Sequence, residues 1–128
     1  MATPLKRYTV PALKRLMQFW KTKLRLNDWN VTVRYAKQEE FEDGDGQGQN
    51  NWNLHSRSSE ILILHPDEYN PADYPNSVPQ DIEDTLVHEL LHLHLATWET
   101  KNRASEIHLE QAIEAMTGSM IALRRRSK

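Results

Sequence analysis

The sequence contains no cysteine, which excludes disulfides and thiolate metal sites and leaves the redox compartment unread. Any metal must therefore be held by His, Asp or Glu. No apolar run approaches the ~20 residues of a membrane-spanning helix. The opening stretch MATPLKRYTVPALKRLMQFW is too broken by charge and proline to hold the apolar segment of a signal peptide. A soluble, cytoplasmic protein with no membrane partner is the expectation. Basic residues are almost missing from the middle of the chain. Residues 38–100 carry one Arg against fourteen acids, whereas 1–37 carry nine Lys or Arg against one acid. A basic leading segment can dock on an acidic partner such as nucleic acid, although a solvated amphipathic helix accounts for it more simply. With 128 residues the chain fits a single domain, 1–128, large enough to bury one core.

What is present reads as an α+β domain. Leu13, Leu16, Met17, Trp20 and Leu24 recur at helical spacing and predict a helix over Val10–Leu26, with Pro11 suited to its first turn. Trp29–Tyr35 alternates apolar and polar residues, as a half-buried strand does. A polar, glycine-bearing loop is expected over Glu39–Asn51, a strand over Trp52–Ser56, and a more deeply buried strand over Glu60–His65. Asp43-Gly-Asp45-Gly-Gln47-Gly48 resembles the start of a calcium loop, but the twelfth position is Leu54 where a bidentate glutamate is required, so it is read as a hairpin loop. Ser77-x-x-Gln80 with Pro79 and the acids Asp81, Glu83 and Asp84 signals the start of a second helix, running to about Trp98. A turn over Glu99–Arg103 leads to a last helix, Ala104–Arg125. Its expected apolar stripe is Leu109, Ala112, Ile113, Met116, Met120 and Leu123. The tail Arg124-Arg125-Arg126-Ser127-Lys128 is read as a solvated helix end that suits the negative pole of the helix.

The second helix contains His88-Glu89-Leu90-Leu91-His92, an H-E-x-x-H pattern. At about 100° per residue, His88 and His92 lie about 40° apart on one face, in a polar wedge with Asp81, Asp84, Thr85, Glu89 and Glu99. Ile82, Leu86, Val87, Leu90, Leu91, Leu93 and Trp98 cover the rest of the circumference, so the helix should be largely buried. Two imidazoles and a carboxylate in a buried wedge are costly without a partner, and a divalent metal supplies one. Zinc suits that donor set. His94 lies about 200° from His92, on the far side, and cannot reach the same ion. A buried or rim histidine with its own hydrogen bond is the better reading of it.

A catalytic zinc takes three protein ligands and keeps one position for water. The last helix should return antiparallel to the H-E-x-x-H helix, bringing Glu106, His108 and Glu110 level with the histidines. His108 points some 160–200° away from both glutamates. Angle favours Glu106, level favours Glu110, and either would also be at home as an ordinary exposed glutamate near a helix start.

In the order of its elements and in its H-E-x-x-H helix, the chain resembles the minigluzincins, small zinc metallopeptidases, and related metallopeptidase-like proteins common in phages and prokaryotes. It is similar also to SprT-like domains. Nearly the whole chain follows that order. The resemblance implies a minimal zincin-like fold: a leading helix, a small two- to three-stranded sheet, the H-E-x-x-H helix and an antiparallel last helix. Glu110-Gln111-Ala112-Ile113-Glu114-Ala115-Met116 looks like the segment that supplies the third ligand in gluzincin-type members, which implies Glu110. SprT-like domains use a third histidine, for which only His108 is available. His94 stands where the family usually has an apolar residue. The resemblance further implies peptide-bond hydrolysis with Glu89 as general base and a peptide or protein as substrate. A catalytically inactive metal-binding relative and a nucleic-acid-associated SprT-like protease are the alternatives. An oxyanion donor could come from His55, His65, Tyr69 or Tyr74, and Asp84 could orient an imidazole. An extended substrate could add to the edge of either Trp52–Ser56 or Ile61–Leu64.

Overall fold

The computed structural model describes residues 6–42, 46–73, 79–96 and 103–127. The elements are α1 (Val10–Lys23), β1 (Asn30–Ala36), β2 (Gly48–Asn53), β3 (Ser58–Leu64), α2 (Ile82–Leu95) and α3 (Arg103–Arg126), with short 3-10 turns between β1 and β2 and between β3 and α2. It is an α+β arrangement of three helices and a three-stranded mixed sheet of order β1-β3-β2. β3 pairs in parallel with β1, Val33 opposite Ile61, and antiparallel with β2, Asn50 opposite Ile61. No helix among the described residues is long and apolar enough to cross a membrane.

Thr9 caps α1, its side chain accepting from the Ala12 N–H. The helix stops three residues before the expected end. Arg25 takes a left-handed φ of 57°, and the N–H groups of Leu26 and Arg25 close on the carbonyls of Lys21 and Thr22, the two bonds of a Schellman turn. The expected stripe is otherwise in place: Leu13, Leu16, Met17 and Trp20 are buried.

β3 is central, and successive side chains feed opposite faces as the strand period requires. Ile61 and Ile63 join Val31 and Val33 under the helices. Leu62 and Leu64 join Ala36 and Phe41 in a smaller cluster, with Tyr69 packed against it. β2 departs from expectation, occupying Gly48–Asn53 rather than Trp52–Ser56. Gly-Gln-Asn-Asn has little intrinsic strand preference, and pairing with β3 together with packing on α2 overrides it.

α2 also starts later than the capping-box pattern implies. Its cap is Asp81, whose side chain accepts from the Asp84 N–H. Gln80 instead donates its amide to the Leu64 carbonyl at 2.8 Å, and Ser77 lies outside the described residues. α3 is rotated from the predicted stripe. Ile113, Thr117 and Ile121 are buried, Leu109 and Met120 are partly buried, and Ala112, Met116 and Leu123 face solvent. The rotation puts Glu110 and Arg124 on the side of α3 that meets α2, where each has an ionic partner.

The basic tail is therefore not simply solvated. Arg124 pairs with Glu83 and lies over the Phe19 ring at 4.5 Å. Arg125 pairs with Asp81 at 3.0 Å. Glu83, 3% exposed, also accepts from Trp20 Nε1 at 2.7 Å. These contacts join the start of α2 to the end of α3, so the two helices run antiparallel.

Candidate metal centre

The polar wedge of α2 holds up in three dimensions. Asp81, Asp84, Thr85, His88 and His92 are half-buried, while nearly all the apolar positions of the helix are buried. The His88 and His92 rings stand a turn apart, centroids 5.2 Å from each other. α3 brings Glu110 across from them. Its carboxylate lies 3.1 Å from His88 Nε2 through Oε2 and 2.8 Å from His92 Nε2 through Oε1. One donor atom from each of His88, His92 and Glu110 falls within 4.8 Å of the others, and this group could hold a metal ion. It is the one such group of three among the described residues. Glu106 and His108 are exposed on α3 and do not belong to it. His94 is on the far side of α2, as its angle requires. It is exposed and not part of the core, and its Nε2 bonds the Leu24 carbonyl at the end of α1.

Glu89, next to His88 in the chain, is 8% exposed, and its carboxylate lies toward Gly48 of β2. Burial, reinforced by the nearby charge of Glu110, pushes its carboxyl up to about 8. Burial also lowers His88 from the ordinary imidazole range, against the opposing pull of Glu110. Asp84 is raised by burial and by the charge of Asp81. It is close enough to act electrostatically on His88, and its backbone N–H donates to the Asp81 cap.

The edge strand β2 closes the other side of the wedge, a role that its polar composition barely hints at. Its alternate residues Gly48, Asn50 and Trp52 all meet α2. A Cβ on Gly48 would stand 2.5 Å from Thr85 Cγ2 and 3.0 Å from Glu89 Oε2, so glycine is what allows the strand this close. Asn50 Nδ2 donates to the Glu89 carbonyl at 2.7 Å, and its Oδ1 accepts from the Ser59 hydroxyl at 2.6 Å. The Trp52 ring stacks on His92 at 6.1 Å between centroids and 18° between planes. The period-2 spacing of these three residues is the one sequence signal for this face, and a strand expected to begin at Trp52 misses it.

Of the candidate oxyanion donors, His55 is exposed in the turn between β2 and β3. His65 accepts from the Asp67 N–H and packs edge-on against Tyr35. Tyr69 packs against the smaller cluster of Ala36, Phe41, Leu62 and Leu64. Tyr74, Trp98, Glu99 and residues 43–45 of the calcium-loop-like stretch lie outside the described residues.

The raised pKa of Glu89 has a thermodynamic consequence for protein stripped of metal. The folded state keeps a proton that the unfolded state gives up above the ordinary 4.5, so stability falls as pH rises from about 4.5 to about 8 and is level beyond. His88, lowered by burial, acts in the opposite sense, since stability is lost as pH falls below the ordinary imidazole range. Glu89→Gln isolates the first effect. In chelator-treated protein the variant should gain on the wild type by a few kcal/mol across that window, at up to about 1.4 kcal/mol for each pH unit crossed. Urea unfolding at pH 5 and pH 8.5 checks it; a stability difference that does not change with pH would contradict the burial argument.

Comparison with family models, with curated proteins and with solved structures finds no match for this chain.

Proposed function

We propose that the chain is a zinc-dependent metallopeptidase of the minigluzincin-like type, with His88, His92 and Glu110 as metal ligands and Glu89 as general base. The observation that carries this reading is the convergence of two imidazole Nε2 atoms and one carboxylate within 4.8 Å, contributed by two separate helices, with a buried glutamate beside them. The donor set fits the ion. Two imidazoles and a carboxylate are a known catalytic zinc set, and tetrahedral donors ~2.1 Å from zinc stand about 3.4 Å from one another. The 2.8 and 3.1 Å separations are a few tenths short of that, so small side-chain movements would accommodate the ion.

Zinc held there would lower the pKa of a water and polarise the scissile carbonyl. The protein's own part follows from Glu89. Glu89 is buried beside the ligands, 8% exposed, and acts as a base in its ionised form, which the positive charge of a bound dication would favour against the effect of burial. It would take a proton from the attacking water and give it to the leaving amine. β2 supplies a platform for the substrate. β3 is paired on both sides and offers no free edge, whereas β2 is an outer strand. The Leu64 N–H to Gln47 carbonyl bond sets the phase of the ladder, so the backbone groups of Gly48, Asn50 and Trp52 face outward, available to an extended peptide.

The test is digestion of a broad peptide library with zinc-loaded protein, with Glu89→Gln as control. Cleavage by the wild type should fall about 10²–10⁴-fold in the variant. Cleavage retained by Glu89→Gln removes Glu89 as base. Stoichiometric zinc without cleavage selects the alternative, a non-catalytic metal-binding protein. The exposed Lys14, Arg15, Lys23 and Arg25 at α1 are the observation favouring a nucleic-acid-docked protease, which predicts salt-dependent DNA binding.

A further inference from the structure

We propose that Trp52 is a positioning residue for the metal ligand His92, and that Asn50 holds it in place. The inference rests on the metal centre described above and extends it to residues that would not touch the ion.

An imidazole ligand works only when its ring is aimed, and partners outside the ligand shell do that aiming. His92 has such a partner in Trp52. The indole lies nearly parallel to the imidazole, 18° between planes, so rotation of the His92 ring about its side-chain torsions would drive it into the indole face. Among the described residues, the ring beside His88 is that of His92 itself. The indole can act as a stop only if β2 is fixed against α2, and the strand carries the means on the same face. Two residues before Trp52, Asn50 donates to the Glu89 carbonyl, a backbone position between the two histidines. Asn50 is itself oriented by the Ser59 hydroxyl, and Ser59 is 5% exposed on the central strand. Two residues earlier again, Gly48 lets the backbone approach Thr85 and Glu89 more closely than a side chain would permit. Close approach, pinning bond and ring stop thus follow at every second residue of one strand.

A merely structural role predicts loss of folding stability and no more. A positioning role predicts weaker metal binding by protein that is still folded. The experiment is competitive titration with zinc and a chromophoric chelator on the wild type, Trp52→Leu, Trp52→Phe and Asn50→Ala, with unfolding of each metal-free variant measured alongside. Trp52→Leu should bind zinc about 10–100-fold more weakly, the range typical of lost outer partners. Trp52→Phe keeps a flat face and should recover most of that loss. Asn50→Ala, which leaves both rings intact, should weaken binding by a smaller factor. Cobalt(II) added to the wild type should quench tryptophan emission more than in Trp52→Phe. Zinc affinities of Trp52→Leu and Asn50→Ala equal to that of the wild type overturn the proposal while leaving the metal centre standing. Failure of the wild type itself to take up zinc overturns the metal centre and the positioning role with it.

Discussion

Replacing Glu110 with glutamine should lower zinc affinity by more than the ~10–100-fold that outer partners are worth, because it removes both a ligand and the anionic charge of the donor set. Glu106→Gln, one turn earlier on the same helix, should change affinity by no more than the ~0.5 kcal/mol typical of surface substitutions. The contrast is sharp because Glu110 reaches both imidazoles, at 3.1 and 2.8 Å, and Glu106 is outside the ligand group. It is also clean. The Glu110 side chain is 48% exposed, and half-exposed ion pairs contribute little to folding, so the variant should stay folded. Competitive chelator titration and metal analysis after dialysis check it. Equal losses in the two variants, or unaltered binding in Glu110→Gln, would remove Glu110 as the third ligand.

The second large effect concerns stability. Glu83→Ala should cost about 3–5 kcal/mol, the usual penalty for breaking a buried ion pair on one side. For a domain whose whole stability is on the order of 5–15 kcal/mol, that is a large share. The Glu83 side chain is 4% exposed and Arg124 24%, so the guanidinium left behind would be poorly hydrated. The Trp20 indole N–H would lose its acceptor as well. Glu83→Gln retains an acceptor for Trp20 and should cost less than the alanine variant. Arg124→Ala in the Glu83→Ala background should cost far less than in the wild type, since the charge it removes is already unpaired. Urea unfolding of the two single variants and the double variant measures this coupling, and additive losses would show that the pair is not a unit. The pair clamps the start of α2 to the end of α3, and the same antiparallel packing sets the level of Glu110 opposite His88 and His92.

The His88-Glu89-His92 wedge is legible without the fold because it is a local property. Once a segment is helical, residues four apart share a face, and the apolar remainder of that segment demands burial of the rest. The stripe of α1 and the alternation of β1 are legible for the same reason. By contrast, the choice between Glu106 and Glu110 depends on how α3 is turned about its own axis. Its sequence offers two stripes, one through Ala112, Met116 and Leu123 and one through Ile113, Thr117 and Ile121, separated by roughly 120°. The first contains no polar residue, whereas Thr117 interrupts the second. The second wins because it also delivers Glu110 to the histidines and Arg124 to Glu83, interactions with residues some twenty to forty positions away. β2 has the same history: Gly48–Asn51 is a poor strand by composition and becomes one through β3 on one side and α2 on the other. The sequence alone determined the helix face that carries His88, Glu89 and His92 and the absence of any thiolate alternative. Tertiary packing decided which glutamate meets that face and which strand closes it, because both depend on contacts between segments far apart in the chain.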